Sequence, residues 1–113
     1  MHELSIAMNI VEICTEEASN AGAQTVSKVE LEIGTISGVI PDALEFSWDV
    51  AIKDTPIENA RLAINLIQAR ARCLDCEKEF ELDDVLNPCP SCGSFGNEIL
   101  QGKELKIKAI TID

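Results

Sequence analysis

The sequence predicts a mixed α/β (α+β) fold that is interrupted by a cysteine-rich segment. Apolar residues recur at helical spacing near the start of the chain, and they alternate with polar residues over three later stretches. Residues 72–98 follow neither pattern, yet they carry four cysteines and two prolines. A connection of this length without regular structure is improbable inside a compact domain, so this segment needs its own source of stability.

The first element is expected to be an amphipathic helix over residues 4–19. Gly22 can end it, because glycine tolerates the left-handed conformation that follows many helices. Cys14 lies on the apolar stripe, and since small buried cysteines are common we expect it in the core rather than at a metal. The stripe recurs at steps of three and four and comprises Leu4, Ala7, Met8, Val11, Cys14 and Ala18.

Three strands and a second helix are expected to follow. Residues 26–34 alternate in period two, and Pro41 favours the start of a helix of about a dozen residues that includes Leu44, Phe46, Trp48 and Val50. Alternation returns in residues 60–69 and again in residues 104–112. In the first strand the predicted inward face consists of Val29, Leu31 and Ile33. In the last strand it consists of Leu105, Ile107 and Ala109.

The four cysteines of the interrupting segment form two close pairs with the spacing C-x2-C-x12-C-x2-C. One tight turn can direct both thiolates of a pair at the same ion, and two such turns complete a tetrahedral S₄ shell that suits Zn²⁺. Because all four ligands are cysteines, the expected zinc is structural. Iron in a rubredoxin-like electron carrier is the alternative. The predicted ligands are Cys73, Cys76, Cys89 and Cys92.

A second candidate metal site lies at the start of the chain. The only histidine, His2, stands between Met1 and Glu3. The α-amine of Met1, the imidazole and amide of His2, and the amide or carboxylate of Glu3 can form fused chelate rings around one ion. Nitrogen and oxygen ligands of this kind suit Ni²⁺ or Cu²⁺. The alternative is a surface histidine without a metal.

Composition narrows the class of function. Nine Lys and Arg against 20 Asp and Glu give a net charge of −11, which disfavours non-specific binding to phosphate backbones. Paired cysteines, no apolar run of bilayer length and no recognisable secretion signal indicate a cytoplasmic metal-binding protein. The sequence has one histidine, no Ser/His/Asp arrangement and no Gly-Lys-Ser/Thr phosphate loop, so we do not expect an enzyme.

Met1-His2-Glu3-Leu4-Ser5 at the start, together with paired C-x2-C turns late in the chain, resembles the HypA family of nickel metallochaperones. Residues 33–39 and 44–48 resemble the strand–turn–helix segment of that family. The resemblance implies a three-stranded sheet with two helices and a four-cysteine, zinc-ribbon-like domain inserted before the last strand. It divides the chain into a nickel-binding α/β domain, residues 1–69 plus 99–113, and a zinc-binding domain, residues 70–98.

The resemblance also implies a function. Ni²⁺ would be cargo held by the Met1 amine, His2 and Glu3, and it would be delivered during maturation of [NiFe]-hydrogenase or urease. The implied partners are a HypB-type GTPase, the hydrogenase large-subunit precursor and urease maturation proteins. A homodimer that exchanges the last strand is compatible with the family.

A zinc-ribbon nucleic-acid-binding protein or an adaptor is the main alternative from another class. Arg70 and Arg72 are the only basic residues clustered near the cysteines. The residues that follow them oppose binding to phosphate, because most of the charged ones are acidic: Glu77, Glu79, Glu81, Asp83 and Asp84.

Overall fold

The computed structural model describes residues 3–23 and 25–113, which form two α-helices and two three-stranded sheets. The predicted order of helix, strand, helix, strand, cysteine-rich segment and strand is confirmed, and so is the α/β class. The cysteine-rich segment contributes short strands of its own. The elements are α1 (Glu3–Asn20), β1 (Val26–Gly34), α2 (Pro41–Ala51), β2 (Arg61–Ile67), β3 (Arg70–Cys73), β4 (Glu79–Glu81), β5 (Asn97–Gln101) and β6 (Leu105–Ile112).

Helix α1 buries a narrower stripe than its sequence predicts. Ala7, Val11, Cys14 and Ala18 are buried as expected, and Ile10 joins them. The prediction was wrong for Leu4 and Met8, which are 45% and 57% exposed. At about 100° per residue the buried arc runs from Ile10 at one edge to Val11 at the other, and Leu4 and Met8 lie beyond the Val11 edge, so the buried face is rotated towards Ile10.

The larger sheet has the order β2-β1-β6, with β1 parallel to β2 and antiparallel to β6. Parallel neighbours need a crossover connection, and α2 supplies it. Val29, Leu31 and Ile33 of the central strand are fully buried, as predicted. On the helix side, the indole of Trp48 donates a hydrogen bond to the carbonyl of Ala60 at 3.1 Å, which ties α2 to the start of β2.

A β-bulge in β6 changes which side chains face the helices. Glu30 pairs with Ala109 and Leu31 pairs with Ile107, so Lys108 has no partner residue on β1. One extra residue reverses the alternation beyond the bulge. As a result Ile110, rather than the predicted Ala109, packs against the core, whereas Ile107 packs there as expected.

The smaller sheet has the order β4-β3-β5 and its own apolar cluster. Both of its pairings are antiparallel. Ile36, from the turn between β1 and α2, packs against this cluster and so connects the two halves of the molecule. The cluster is small and consists of Ala69, Ala71, Cys73, Phe80, Leu82 and Cys89.

The chain passes between the two sheets twice, and the two passages meet in a close backbone crossing beside the end of β1. A Cβ added to Gly34 would collide with the carbonyl group of Gly102, and one added to Gly102 would collide with Ala69. Hydrogen bonds close the crossing: the amide of Ala69 donates to Thr35 Oγ1 at 3.0 Å, and the amide of Ile36 donates to the Gly102 carbonyl at 3.0 Å. Glycine is required here because only hydrogen fits in the space.

We expect Gly34→Ala to lower the free energy of unfolding by about 3 kcal/mol, because a methyl group there forces the passage at Gly102 away from the end of β1. Urea denaturation monitored by circular dichroism measures the change. Gly96→Ala is the matched control, since a Cβ there would meet its nearest atom at 3.6 Å, an ordinary contact distance. Equal stability of the two variants would contradict the close crossing.

Candidate metal centres

The first cysteine turn, residues 73–78, is closed by two backbone hydrogen bonds. The amide of Cys73 donates to the carbonyl of Lys78 at 2.9 Å, and the amide of Glu77 donates to the carbonyl of Cys73 at 3.0 Å. Glu77 adopts a left-handed conformation with φ of 64°. The amide of Cys76 points at the sulfur of Cys73, with an N–Sγ distance of 3.5 Å. The turn therefore brings the two thiols of its pair together on one side.

The second cysteine turn, residues 89–94, repeats this geometry position by position. The amide of Cys89 donates to the carbonyl of Ser94 at 2.8 Å, and the amide of Gly93 donates to the carbonyl of Cys89 at 2.8 Å. Gly93 has φ of 76° and occupies the position equivalent to Glu77. This equivalence was visible in the sequence, because each residue stands four positions after the first cysteine of its pair.

The two turns face each other and bring four sulfur atoms together. All four lie within 4.8 Å of one another, and they are free thiols. The sulfurs of Cys73 and Cys92 are 3.5 Å apart, and those of Cys76 and Cys89 are 3.6 Å apart. A tetrahedral shell with Zn–S bonds of about 2.3 Å places its sulfurs about 3.8 Å apart. The residues present therefore fit a tetrahedral metal ion bound by four thiolates.

The thiols of the cluster differ in acidity because they lie so close together. The backbone amide of Cys76 lowers the pKa of Cys73 to about 6, despite the opposing effect of desolvation. The Ser94 amide favours the Cys92 thiolate, but Cys73 and the other cysteines outweigh it and raise the pKa of Cys92 to about 12. Adjacent negative charges cannot all form unaided. A divalent cation removes this conflict, and its binding releases the remaining protons.

Burial differs among the four cysteines. Cys73 and Cys89 are buried in the apolar cluster of the smaller sheet, Cys76 is half-buried, and Cys92 is exposed. The cluster therefore has an inner side made by the fold and an outer edge at the surface.

The structure describes one of the three predicted N-terminal ligands. Met1 and His2 lie outside the described residues. Glu3 is the first residue of α1, and its Oε2 accepts a hydrogen bond from the amide of Ile40 at 3.4 Å. Ile40 is the N-cap residue of α2, so the Glu3 carboxylate lies beside the starts of both helices. Sequence reasoning missed this contact, which joins residues 37 positions apart.

Comparison with known proteins places the whole chain in one family. The family model described as hydrogenase/urease nickel incorporation, metallochaperone, hypA matches residues 1–112. The chain belongs to the HypA family. It is 48% identical to the hydrogenase maturation factor HypA of Geotalea uraniireducens over 113 residues, covering 100% of both chains. It is 49% identical to the protein of the same name from Parabacteroides distasonis over 112 residues, covering 99% of this chain and 97% of the relative.

Solved structures give the same result for the fold. The solution structure of the Ni metallochaperone HypA from Helicobacter pylori superposes with a TM-score of 0.69 at 23% identity, covering 99% of this chain and 97% of that chain. The agreement includes both halves of the molecule. In this HypA-family chain the described residues contain no helix long and apolar enough to cross a membrane.

Two other features of this HypA-family chain have a structural explanation. Cys14 is fully buried in α1, as expected, and burial, together with the nearby Glu17, raises the pKa of its thiol to about 11. Arg70 lies 3.7 Å from Glu81, and Arg72 lies 3.9 Å from Glu79. These arginines are paired with carboxylates of the neighbouring strand, which weakens the nucleic-acid alternative.

We expect Gly93→Ala to weaken zinc binding about fivefold, because a left-handed backbone costs alanine about 1 kcal/mol more than glycine. No atom lies within 4 Å of the added Cβ, so crowding does not contribute. Glu77→Gly is the matched variant at the equivalent position, and it should bind zinc at least as tightly as the unaltered protein. Competition with a chromophoric chelator measures both. Weaker binding by Glu77→Gly than by Gly93→Ala would contradict the symmetry of the turns.

Proposed function

We propose that this protein is a nickel metallochaperone, which takes up Ni²⁺ at its N-terminus and delivers it during maturation of [NiFe]-hydrogenase or urease. The observation that carries the proposal is the match of residues 1–112 to the family of nickel-incorporation metallochaperones. The four-sulfur cluster agrees with it, because a structural metal site leaves the cargo to be bound elsewhere. The cargo is transferred by ligand exchange, so no reaction is catalysed.

The structural metal is proposed to be Zn²⁺, held by Cys73, Cys76, Cys89 and Cys92. Four thiolates at tetrahedral distances favour zinc over the harder divalent ions, and zinc has no redox chemistry to disturb the site. When bound, zinc supplies positive charge and four bonds that link the two turns. The chain's own residues supply the backbone amides that point at the sulfurs.

Nickel is proposed to bind to the Met1 amine, His2 and Glu3. The start of a helix carries partial positive charge, which repels a cation. The Glu3 carboxylate offsets this charge, and its hydrogen bond to Ile40 uses Oε2 and leaves the other oxygen for a metal ion. Ligands at the end of a chain can be replaced one at a time by those of a recipient protein, which suits reversible binding.

Residues 70–98 are proposed to form the zinc-binding domain, inserted into a nickel-binding domain of residues 1–69 and 99–113. The separate sheet and apolar cluster support a division near these bounds; β5 continues to Gln101, and Ala69 and Ile99 pack with the same cluster, so the smaller sheet with the buried residues of its cluster spans residues 69–101. We further propose a cytoplasmic location, where thiols stay reduced. The proposed partners are a HypB-type GTPase, the hydrogenase large-subunit precursor and urease maturation proteins, and a homodimer is the proposed alternative to a monomer.

The nickel site is tested by measuring bound metal after Ni²⁺ loading and desalting. The unaltered protein should retain about one nickel, and His2→Ala and an N-terminally acetylated form should retain little, because each lacks one nitrogen ligand. Nickel affinity should fall as pH drops through the ordinary histidine pKa of ~6.5, because the protonated imidazole cannot bind a metal. All forms should keep about one zinc.

Glu3→Gln tests the third proposed nickel ligand, and Glu12→Gln is its matched control, since both glutamates lie in α1. Only Glu3→Gln should lower nickel retention. Equal nickel in every variant, or an affinity that does not change between pH 8 and 5.5, would leave the protein as a metal-stabilised adaptor without an N-terminal nickel site.

Zinc removal tests the domain division. Without the metal, the packing of the small apolar cluster alone is too weak to keep residues 72–98 folded. A chelator should therefore abolish amide hydrogen-exchange protection there. Protection of α1, β1 and α2 should persist, because their core is separate. Re-addition of zinc is the control. If protection were lost throughout the chain, the two parts would be one cooperative unit, and the proposed division would be wrong.

A further inference from the structure

Strand β6 forms an open edge of the larger sheet. It pairs with β1 along one side, and no other strand in residues 3–23 and 25–113 pairs along its second side. Leu105 and Ile112 at its two ends are each 40% exposed. An edge strand presents unpaired amides and carbonyls that can bind a further extended segment.

An apolar groove runs along this edge between α1 and β6, with a volume of about 280 Å³. We call it the β6 groove. Its helix side is formed by Ile6, Asn9, Ile10 and Ile13, and its strand side includes Leu105 and Ile107. Leu105 and Ile107 pair with Ile33 and Leu31 of β1, so their side chains lie on the helix-covered face of the sheet.

On the opposite face, the same edge carries Lys106 and Lys108, which lie near Glu32 and Glu30 of β1. Lys106 lies 3.3 Å from Glu32 across the strands, so its side chain lies on the face away from the helices. The pKa of Glu30 on that face is lowered, first by Lys28 and further by Lys108. In a chain with a net charge of −11, this edge therefore concentrates lysines.

Strand β1 shows what kind of segment β6 pairs with. Residues 29–33 read Val-Glu-Leu-Glu-Ile, with apolar side chains towards the helices and glutamates towards the lysines. A segment added to the second side of β6 would meet the same two environments. Its alternate residues would enter the β6 groove or approach Lys106 and Lys108.

We propose that the free edge of β6 binds an extended segment of a partner protein in which apolar and acidic residues alternate. Main-chain hydrogen bonds would supply part of the affinity, and the groove and lysines would select the pattern. The pairing is expected to be short and centred on residues 105–107, because the bulge at Lys108 interrupts regular pairing.

A second copy of β6 fits this edge less well. Two such strands side by side would bring Lys106 and Lys108 of each copy close together, and like charges across a sheet are destabilising. Lysines on an edge strand commonly prevent unwanted pairing. Here they would exclude basic or identical strands while admitting an acidic one.

The proposal is tested with a fluorescein-labelled peptide of residues 29–33, flanked by glycine and serine for solubility, and the zinc-loaded full chain. Fluorescence anisotropy should show saturable binding, and amide hydrogen-exchange protection should increase at residues 105–107. The same peptide with lysine in place of both glutamates should bind about tenfold more weakly, because two favourable charge pairs become unfavourable.

Variants of the protein complete the test. Lys106→Gln with Lys108→Gln should reduce the preference between the two peptides, whereas Lys53→Gln with Arg61→Gln, a change of equal charge away from β6, should not. Ile13→Asn should weaken both peptides, and Val50→Asn, at an exposed position of α2, should weaken neither. Circular dichroism and nickel retention should stay unchanged throughout, which separates this surface from the nickel site. Equal affinity for the two peptides, protection away from β6, or self-association through this edge would overturn the proposal.

Discussion

Four thiols held within 4.8 Å of one another are the constraint on which the cysteine-bearing half of this molecule depends. They cannot all ionise side by side, as the divergent acidities of Cys73 and Cys92 indicate. Among the described residues the apolar cluster of this half has six buried members, two of which are Cys73 and Cys89 themselves, too few to fix three short strands by packing alone. A bound divalent cation would offset the repulsion between the thiolates, and folding of the cysteine-bearing half would then be linked to metal binding.

The halves built on the two sheets are joined by close backbone and side-chain contacts. Gly34 and Gly102 cross with no room for a side chain, and Ile36 extends from the β1–α2 turn into the apolar cluster of the smaller sheet. The same turn ends at Ile40, whose amide reaches the carboxylate of Glu3. One short connection therefore contacts the cysteine-bearing half at one end and the first helix at the other.

The sequence predicted the elements well where a single periodicity governed them. The alternation around Leu31 and the helical stripe around Cys14 gave correct elements, because each pattern reports one buried face. The cysteine spacing likewise predicted the cluster. Failures came from tertiary context: the buried arc of α1 is rotated towards Ile10 and leaves Met8 outside it, and the bulge at Lys108 moved the inward position from Ala109 to Ile110. No local sequence pattern predicts this bulge, because the bulge depends on how β6 pairs with β1, a strand far away in the sequence.

The two proposed sites offer different ligand types, which would let one small protein bind two different metal ions selectively. Raw affinity does not separate nickel from zinc reliably, so ligand type and geometry must do so. The cysteine cluster offers only sulfur, in a tetrahedral arrangement fixed by two closed turns, which suits zinc and resists exchange. The N-terminal set offers nitrogen and oxygen, and of its three members the structure describes Glu3, on the first turn of a helix. A cargo ion needs ligands that a recipient protein can replace, as the proposed N-terminal ligands would allow. A structural ion needs ligands that remain bound, as the four cysteines would provide.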